Sequence, residues 1–211
     1  MELMASRPIL SMSEAEYLQY ERRAEFRSEY ISGRVYAMAG ASWRHGQIIL
    51  SMGAELRRRL QGSSCRAFIS DVRVRVAQTR MYTYPDLGIV CGPPRFADDQ
   101  QDTLLNPAVL IEVLSDSTKS YDRGEKFAHY RRIDSLREYL VVDQESPHLE
   151  HYTRRDDGSW VLREYDGLGG SLILAAAGCE LPLAAIYEDI DFIQDQNPVR
   201  STDDPPAPAS T

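Results

Sequence analysis

The sequence predicts a mixed α/β (α+β) domain in which helices flank a mixed central sheet. The predicted elements follow one another in the order helix, hairpin, helix, strands, helix, strands. Residues 108–114 are apolar on both faces apart from one residue, as in a central strand that is covered on both sides. The 211 residues are 43% hydrophobic, enough for one globular domain with a sizeable core.

The N-terminal part is predicted to form a helix, a hairpin and a longer helix. Ser13 and Glu16 have the spacing of a capping box, which predicts a helix over residues 14–24. Residues 29–36 predict two short strands around a Ser-Gly turn. A second helix is predicted over residues 42–60, because its apolar side chains recur at helical spacing.

The rest of the domain is predicted to be mainly strands. The alternating pattern and the apolar runs predict strands at 72–76, 84–90, 108–114, 137–143, 148–152 and 160–165. The last two form a hairpin around an Asp-Gly turn. A helix over residues 120–133 follows the central strand.

Composition limits the domain plan and the class of protein. We expect a flexible N-terminus (1–12), one domain (13–190) and a disordered acidic, Pro-rich tail (191–211). The net charge of -8 argues mildly against nucleic-acid binding. Part of this negative charge comes from the tail, which holds four Asp and one Arg. With three scattered cysteines, no disulfide framework and no zinc site are predicted, and a cytoplasmic location fits. No signal peptide and no membrane-spanning run are apparent.

Two carboxylates interrupt apolar strands and are candidate metal ligands. Glu112 lies within the central run, where a charge is costly unless it is paired, hydrogen-bonded or bound to a metal. Asp86 interrupts the preceding strand and shares a face with Gly88 and Val90. Two such carboxylates on one face would bind a hard cation such as Mg²⁺. The alternative is a structural salt bridge for each, with Arg73, Arg75 or Lys126 as partner.

Several short motifs, in this order and spacing, resemble the Uma family. They are Tyr84-Pro85-Asp86, Ile111-Glu112-Val113-Leu114-Ser115 and Asp122-Arg123-Gly124-Glu125-Lys126-Phe127-Ala128-His129-Tyr130, with Glu29 before Ser32-Gly33 and His45 opening the long helix. That family is assigned to the PD-(D/E)XK restriction-endonuclease-like superfamily. The resemblance covers about residues 13–187 and implies a restriction-endonuclease-like core.

The resemblance also implies a reaction, a cofactor and partners. Asp86 would be the Asp of the PD pair and Glu112 the acid of (D/E)XK, and both would bind Mg²⁺ or Mn²⁺ for hydrolysis of DNA phosphodiester bonds. Many nucleases of this superfamily act as dimers to cut two strands, which suggests a homodimer.

The sequence departs from the superfamily at the catalytic lysine. The usual slot, two residues after the acid, holds Leu114. Lys126 on the following helix is the expected substitute, unless it is a solvated residue paired with Asp122 at i,i+4. Further candidates are His45, to orient water or phosphate unless it is only a core histidine, and Glu29, as a metal-proximal acid.

Three hypotheses follow, and they predict different surroundings for the carboxylates. A nuclease requires that Asp86, Glu112 and Lys126 converge in one cleft. A non-catalytic nucleic-acid or protein binding module on a decayed nuclease fold predicts that Lys126 points away. A structural oligomeric protein predicts an arginine facing each carboxylate.

Overall fold

The computed structural model describes residues 8–38, 40–115 and 118–192. Fourteen strands, five α-helices, one 3-10 helix (Ala77–Thr79) and one π-helical turn (Asp122–Lys126) are assigned within them. The strands are β1 (Leu10–Ser11), β2 (Ser28–Ile31), β3 (Arg34–Ala37), β4 (Cys65–Ile69), β5 (Arg73–Val76), β6 (Met81–Thr83), β7 (Leu87–Cys91), β8 (Thr103–Leu104), β9 (Val109–Leu114), β10 (Glu138–Asp143), β11 (His148–Arg154), β12 (Trp160–Asp166), β13 (Ser171–Leu174) and β14 (Cys179–Pro182). The helices are α1 (Glu14–Glu21), α2 (Trp43–Arg59), α3 (Lys119–Tyr121), α4 (Phe127–Tyr130) and α5 (Leu183–Ile186).

Two six-stranded mixed sheets form the body of the domain. Sheet A has the order β1-β3-β2-β6-β5-β8, and sheet B has the order β12-β11-β10-β9-β7-β4. The strand β9 lies inside sheet B, parallel to β10 and antiparallel to β7. All six of its residues are buried, as the apolar run predicted. The predicted mixed fold with a mixed central sheet is confirmed. Sheet A is a second sheet that was not predicted.

The predicted helix caps are present. The side chain of Ser13 accepts a hydrogen bond from the backbone N–H of Glu16, and the carboxylate of Glu16 accepts one from the backbone N–H of Ser13, so α1 has a complete capping box. Ser42 caps α2 by accepting from the backbone N–H of His45. The helix predicted over 120–133 is α3, a π-helical turn (Asp122–Lys126) and α4 in succession. A π turn inserts one residue per turn and shifts the side chains that follow it.

Two layers of apolar side chains cover sheet B. On one face, Ile48, Met52 and Leu56 of α2 pack with Ile111 and Val113. On the other face, the Glu112 side of β9 packs against the α3–α4 segment and strands of sheet A. The central strand is therefore covered on both sides, which is why Glu112 is buried.

The prediction that the chain has no disulfide is wrong, because Cys65 and Cys91 are bonded. They face each other in the antiparallel pairing of β4 with β7, and their Cα atoms are 4.0 Å apart. The odd number and wide spacing of the cysteines did not indicate this pair. The pairing of β4 with β7 would have indicated it, but β4 was not predicted. Cys179 is free.

The predicted terminal segments are only partly described. Leu10 and Ser11, from the segment expected to be flexible, pair with β3. Residues 1–7, and most of the tail expected to be disordered (193–211), lie outside the described residues. Within the described ranges, no helix has the length and apolar character needed to cross a membrane.

Gly88 offers a test of the packing beside β9. A Cβ atom added to Gly88 would clash with the ring of Phe68, its cross-strand partner. We expect Gly88→Ala to lower the free energy of unfolding by about 1–3 kcal/mol through overpacking. Chemical denaturation measures the loss, and adding Phe68→Leu should recover part of it.

Gly46→Ala is the matched control for this substitution. Gly46 lies in α2 with nothing within 4 Å of an added Cβ, so the change should stabilise the protein by up to about 1 kcal/mol. A Gly88→Ala variant as stable as the wild type would contradict the close contact.

Candidate active site

The two predicted carboxylates come together at one end of sheet B. The pairing of β7 with β9 matches Leu87 with Ile111 and Gly88 with Leu110, and extending this register by one residue sets Asp86 opposite Glu112. Directly opposed residues of antiparallel strands have Cβ atoms about 4.5–5.5 Å apart. Asp86 is held in place because its Oδ2 accepts a hydrogen bond of 2.8 Å from the backbone N–H of Val113.

Lys126 points into this site. Its Nζ lies 2.9 Å from Oε1 of Glu112 and 3.5 Å from Oε1 of Glu29. It is also 3.5 Å from Oδ1 of Asp122, its i,i+4 neighbour, which was expected to pair with it only at the surface. One ammonium group thus sits among three carboxylates from three separate elements.

Tyr130 and Thr83 complete the hydrogen bonding of this group. The hydroxyl of Tyr130 donates to Oε1 of Glu112 at 2.7 Å. The hydroxyl of Thr83 donates to Oε1 of Glu29 and lies 3.5 Å from the Tyr130 hydroxyl. Glu29 therefore shares the site with Glu112 through Lys126 on one side and through two hydroxyls on the other.

His45 contacts the other carboxylate. Its Nε2 lies 3.3 Å from Oδ2 of Asp86, at the start of α2. Burial opposes the charge of the imidazole, but the hydrogen bond and the charge of Asp86 outweigh it and raise the pKa of His45. The structure thus brings all five predicted site residues to one end of sheet B: Glu29, His45, Asp86, Glu112 and Lys126.

The site is closed at its centre and more open at one side. The side chains of Glu112 and Lys126 are 4% and 8% exposed, whereas those of His45 and Asp86 are 11% and 16% exposed. Asp86 and His45 therefore form the more accessible side of the site, and we call them the mouth of the site.

Burial and charge make the centre of the site short of positive charge. Burial raises the pKa of Glu112 well above its usual value, the ammonium of Lys126 opposes this rise, and the charges of Asp86 and Asp122 add to it. Burial disfavours the charge of Lys126, but the carboxylates of Glu112 and Glu29 outweigh burial and raise its pKa well above the usual value. Carboxylates thus outnumber cations in a poorly solvated place, which favours the uptake of a proton by Glu112 or of another positive charge beside it.

The donor set fits a magnesium-like cation that keeps several waters. Within the described parts of the chain, no three His, Cys, Asp or Glu side chains are gathered as metal ligands. Mg²⁺ is usually held by one or two carboxylates, with water and substrate phosphate completing its shell. Asp86 and Glu112, opposed across β7 and β9, supply that number of hard oxygen ligands.

The contacts of these residues bear on the alternatives to a nuclease. A decayed nuclease site predicted that Lys126 points away from the carboxylates, whereas its Nζ lies 2.9 Å from Glu112. Arg73 and Arg75, the expected structural partners, pair instead with Asp102 and Glu14. Lys126 faces Glu112 and His45 faces Asp86, so among the described residues no arginine faces either carboxylate. The salt bridge between Lys126 and Glu112 was also one of the structural pairings that the sequence predicted.

Three residues of the site were not predicted as site residues. Asp122 had a signal in its i,i+4 spacing from Lys126, but the pair was interpreted as a surface ion pair. Tyr130 was expected only to pack, and Thr83 carried no signal, because a lone threonine in a strand is unremarkable. Asp71, another acid near this region, pairs with Arg27 and is 70% exposed.

Three comparisons with known proteins bear on the family and the fold of the chain. Residues 14–184 match the family model Uma2, described as "Putative restriction endonuclease". From Synechocystis, "Uncharacterized protein sll1609" is 36% identical over 79% of this chain and 93% of that protein, and "Uncharacterized protein slr1290" is 34% identical over 89% and 97%. The crystal structure of "a putative nuclease belonging to DUF820" from Anabaena variabilis superposes with a TM-score of 0.68 at 15% identity, covering 83% of this chain and 97% of that one.

The position of Lys126 predicts how stability depends on pH. Lys126→Met leaves buried carboxylates without their cation, and we expect a loss of about 3–5 kcal/mol at neutral pH. The folded variant then holds carboxyl groups whose pKa is raised, so it binds more protons than the unfolded chain and regains stability as the pH falls. Urea unfolding at about pH 8 and about pH 5.5 should show a smaller deficit at the lower pH.

The control for this prediction is Lys119→Met. Lys119 is 31% exposed, and its Nζ is 4.0 Å from Oδ2 of Asp143, so a loss under about 1 kcal/mol is expected. If the Lys126→Met deficit matched this control, or stayed the same at both pH values, the buried ion cluster would be refuted.

Proposed function

Because the chain belongs to the Uma2 family, we propose that it is a divalent-metal-dependent nuclease that hydrolyses DNA phosphodiester bonds. The observation that carries the proposal is the convergence of Asp86, Glu112 and Lys126 from three chain segments. Lys126 reaches Glu112 at 2.9 Å although it lies twelve residues beyond the usual lysine slot, at Leu114.

Asp86 and Glu112 would hold Mg²⁺ or Mn²⁺. When bound, such a cation lowers the pKa of a coordinated water and offsets the charge that builds on the phosphate. The two carboxylates face each other across a rigid strand pair, so little reorganisation is needed to present them together.

Lys126 has the chemistry to position the substrate. Its ammonium is held in the site by the carboxylates of Glu29, Glu112 and Asp122, and it keeps its proton because these charges raise its pKa. A charged donor at this point would bind a phosphate oxygen or orient the attacking water. His45, beside Asp86 at the mouth, would hold that carboxylate and the water near it.

The buried position of Leu114 explains why a lysine is absent from the usual slot. Leu114 is fully buried among apolar side chains that include Tyr130 and Tyr139. An ammonium there would replace an apolar side chain of the core and lose its solvation. The α3–α4 segment instead supplies the cation from across the site.

Cleavage of supercoiled and linear DNA tests the proposal. We expect cleavage with Mg²⁺ or Mn²⁺, none with EDTA, and losses of at least about a hundredfold in Asp86→Asn and Glu112→Gln. These near-isosteric changes remove the charge and keep the shape. Asp71→Asn, an exposed carboxylate outside the site, is the matched control and should retain full activity.

Two results would contradict the nuclease proposal. One is the absence of cleavage with any divalent metal by folded protein. The other is cleavage that survives unchanged in both site variants, which would point to a contaminating enzyme.

A further inference from the structure

A groove lies between α2 and β4, the edge strand of sheet B. Its volume is about 650 Å³, and its lining is mainly apolar, with Ile49 and Leu50 on one wall and Ala67, Phe68 and Ile69 on the other. Within the described residues, the outer edge of β4 pairs with no other strand. Leu50 and Ile69 are 64% and 49% exposed. We call this feature the α2–β4 groove.

The α2–β4 groove begins at the mouth of the proposed active site. Gly46, which lines one wall, follows His45 directly in α2. Ile69 on the other wall pairs with Leu87, the residue after Asp86. From this end the groove follows α2 to Gln61, a length of about 22 Å at 1.5 Å per residue.

The charge of the groove is opposite to that of the chain. The charged residues that line it are Arg57 and Arg66, both exposed, while the chain as a whole carries -8. Neither guanidinium forms an ion pair with a carboxylate in the described part of the chain. Two such arginines along an apolar groove favour a ligand that carries repeated negative charge and apolar faces together.

Two aromatic side chains stand exposed near the same end. Trp43 is 82% exposed and lies two residues before His45, in the first turn of α2. Phe26 is 78% exposed, and the adjacent Arg27 donates to the carbonyl of Ser70, just beyond β4. The guanidinium of Arg27 also lies 4.9 Å from the ring centroid of Tyr84, two residues before Asp86. Exposed rings of this size offer stacking surfaces to nucleobases.

We propose that the α2–β4 groove binds a single strand of nucleic acid and leads it to the Asp86–His45 mouth. Unpaired bases would stack on Trp43 and Phe26, and phosphates would contact Arg57 and Arg66. The apolar lining favours a single strand over a duplex, because a duplex hides its base faces and is bound mainly through many phosphate contacts. If the chain is the proposed nuclease, on which this part of the inference rests, cleavage favours unpaired strands.

Tryptophan fluorescence tests the binding without any cleavage. The chain has two tryptophans, so Trp160→Phe leaves Trp43 as the reporter. The probe is an oligo-dT strand of about 16 nucleotides, the upper end of known site sizes, added in EDTA. We expect quenching of Trp43 and binding roughly tenfold or more tighter than to a duplex of the same length.

Variants in the groove separate its parts. Arg57→Gln and Arg66→Gln should each weaken oligo-dT binding and lower the slope of log K against log salt by about 0.7. Trp43→Ala, followed by fluorescence anisotropy of a labelled strand, should weaken binding roughly tenfold. The matched control is Arg58→Gln, because Arg58 pairs with Glu55 on another side of α2 and should bind as before.

Several outcomes would contradict the proposal that the α2–β4 groove binds a single strand. The first is binding of the duplex as tightly as of the single strand, and the second is wild-type affinity for oligo-dT in all groove variants. The third is a dimer in sedimentation that Leu50→Asp converts to a monomer, which would show that a second copy of the chain covers the groove. Binding in EDTA does not depend on cleavage. Groove-dependent binding with no cleavage under any metal would support the groove and refute the nuclease, and cleavage that ignores every groove variant would do the reverse.

Discussion

The burial of the Glu112 carboxylate in the middle of an apolar strand is the constraint on which this site depends. The side chain is 4% exposed, so its charge must be compensated by the protein. Lys126 and Tyr130 provide this compensation from the α3–α4 segment. Asp86, the residue before β7, lies opposite Glu112. If Glu112 were apolar, nothing in the packing of β9 would require a lysine or a tyrosine hydroxyl on that side of the sheet.

The fold brings the compensating groups together through strand register and one irregular helix. The antiparallel pairing of β7 with β9 fixes Asp86 opposite Glu112. Lys126 ends the π-helical turn between α3 and α4, a kind of helix irregularity that is frequent at functional sites. Leu114 stays in the apolar layer while Lys126 enters from the facing segment, so the cation and the apolar core do not compete for one strand position.

Much of this arrangement can be predicted from the sequence, and the reason is that charge in an apolar pattern is conspicuous. Glu112 and Asp86 interrupt strands, and Lys126 is identified by the family resemblance and the leucine in its usual slot. Thr83 and Tyr130 could not be identified, because a hydroxyl is compatible with packing alone and its partner lies far away in the chain. The Cys65–Cys91 bond was missed for a related reason, since it depends on the register of β4, a strand whose mixed pattern of Arg66, Ala67 and Phe68 gave no clear alternation.

Calorimetric titration of Mn²⁺ into the wild-type chain, Asp86→Asn and Glu112→Gln tests most directly whether the opposed carboxylates form a cation site. A cation site formed by these two residues predicts saturable binding to the wild type that is lost in both variants, while both variants keep the wild-type fold by circular dichroism. Binding that persists unchanged in the two variants, or no binding to the wild type, would contradict the assignment of Asp86 and Glu112 as metal ligands.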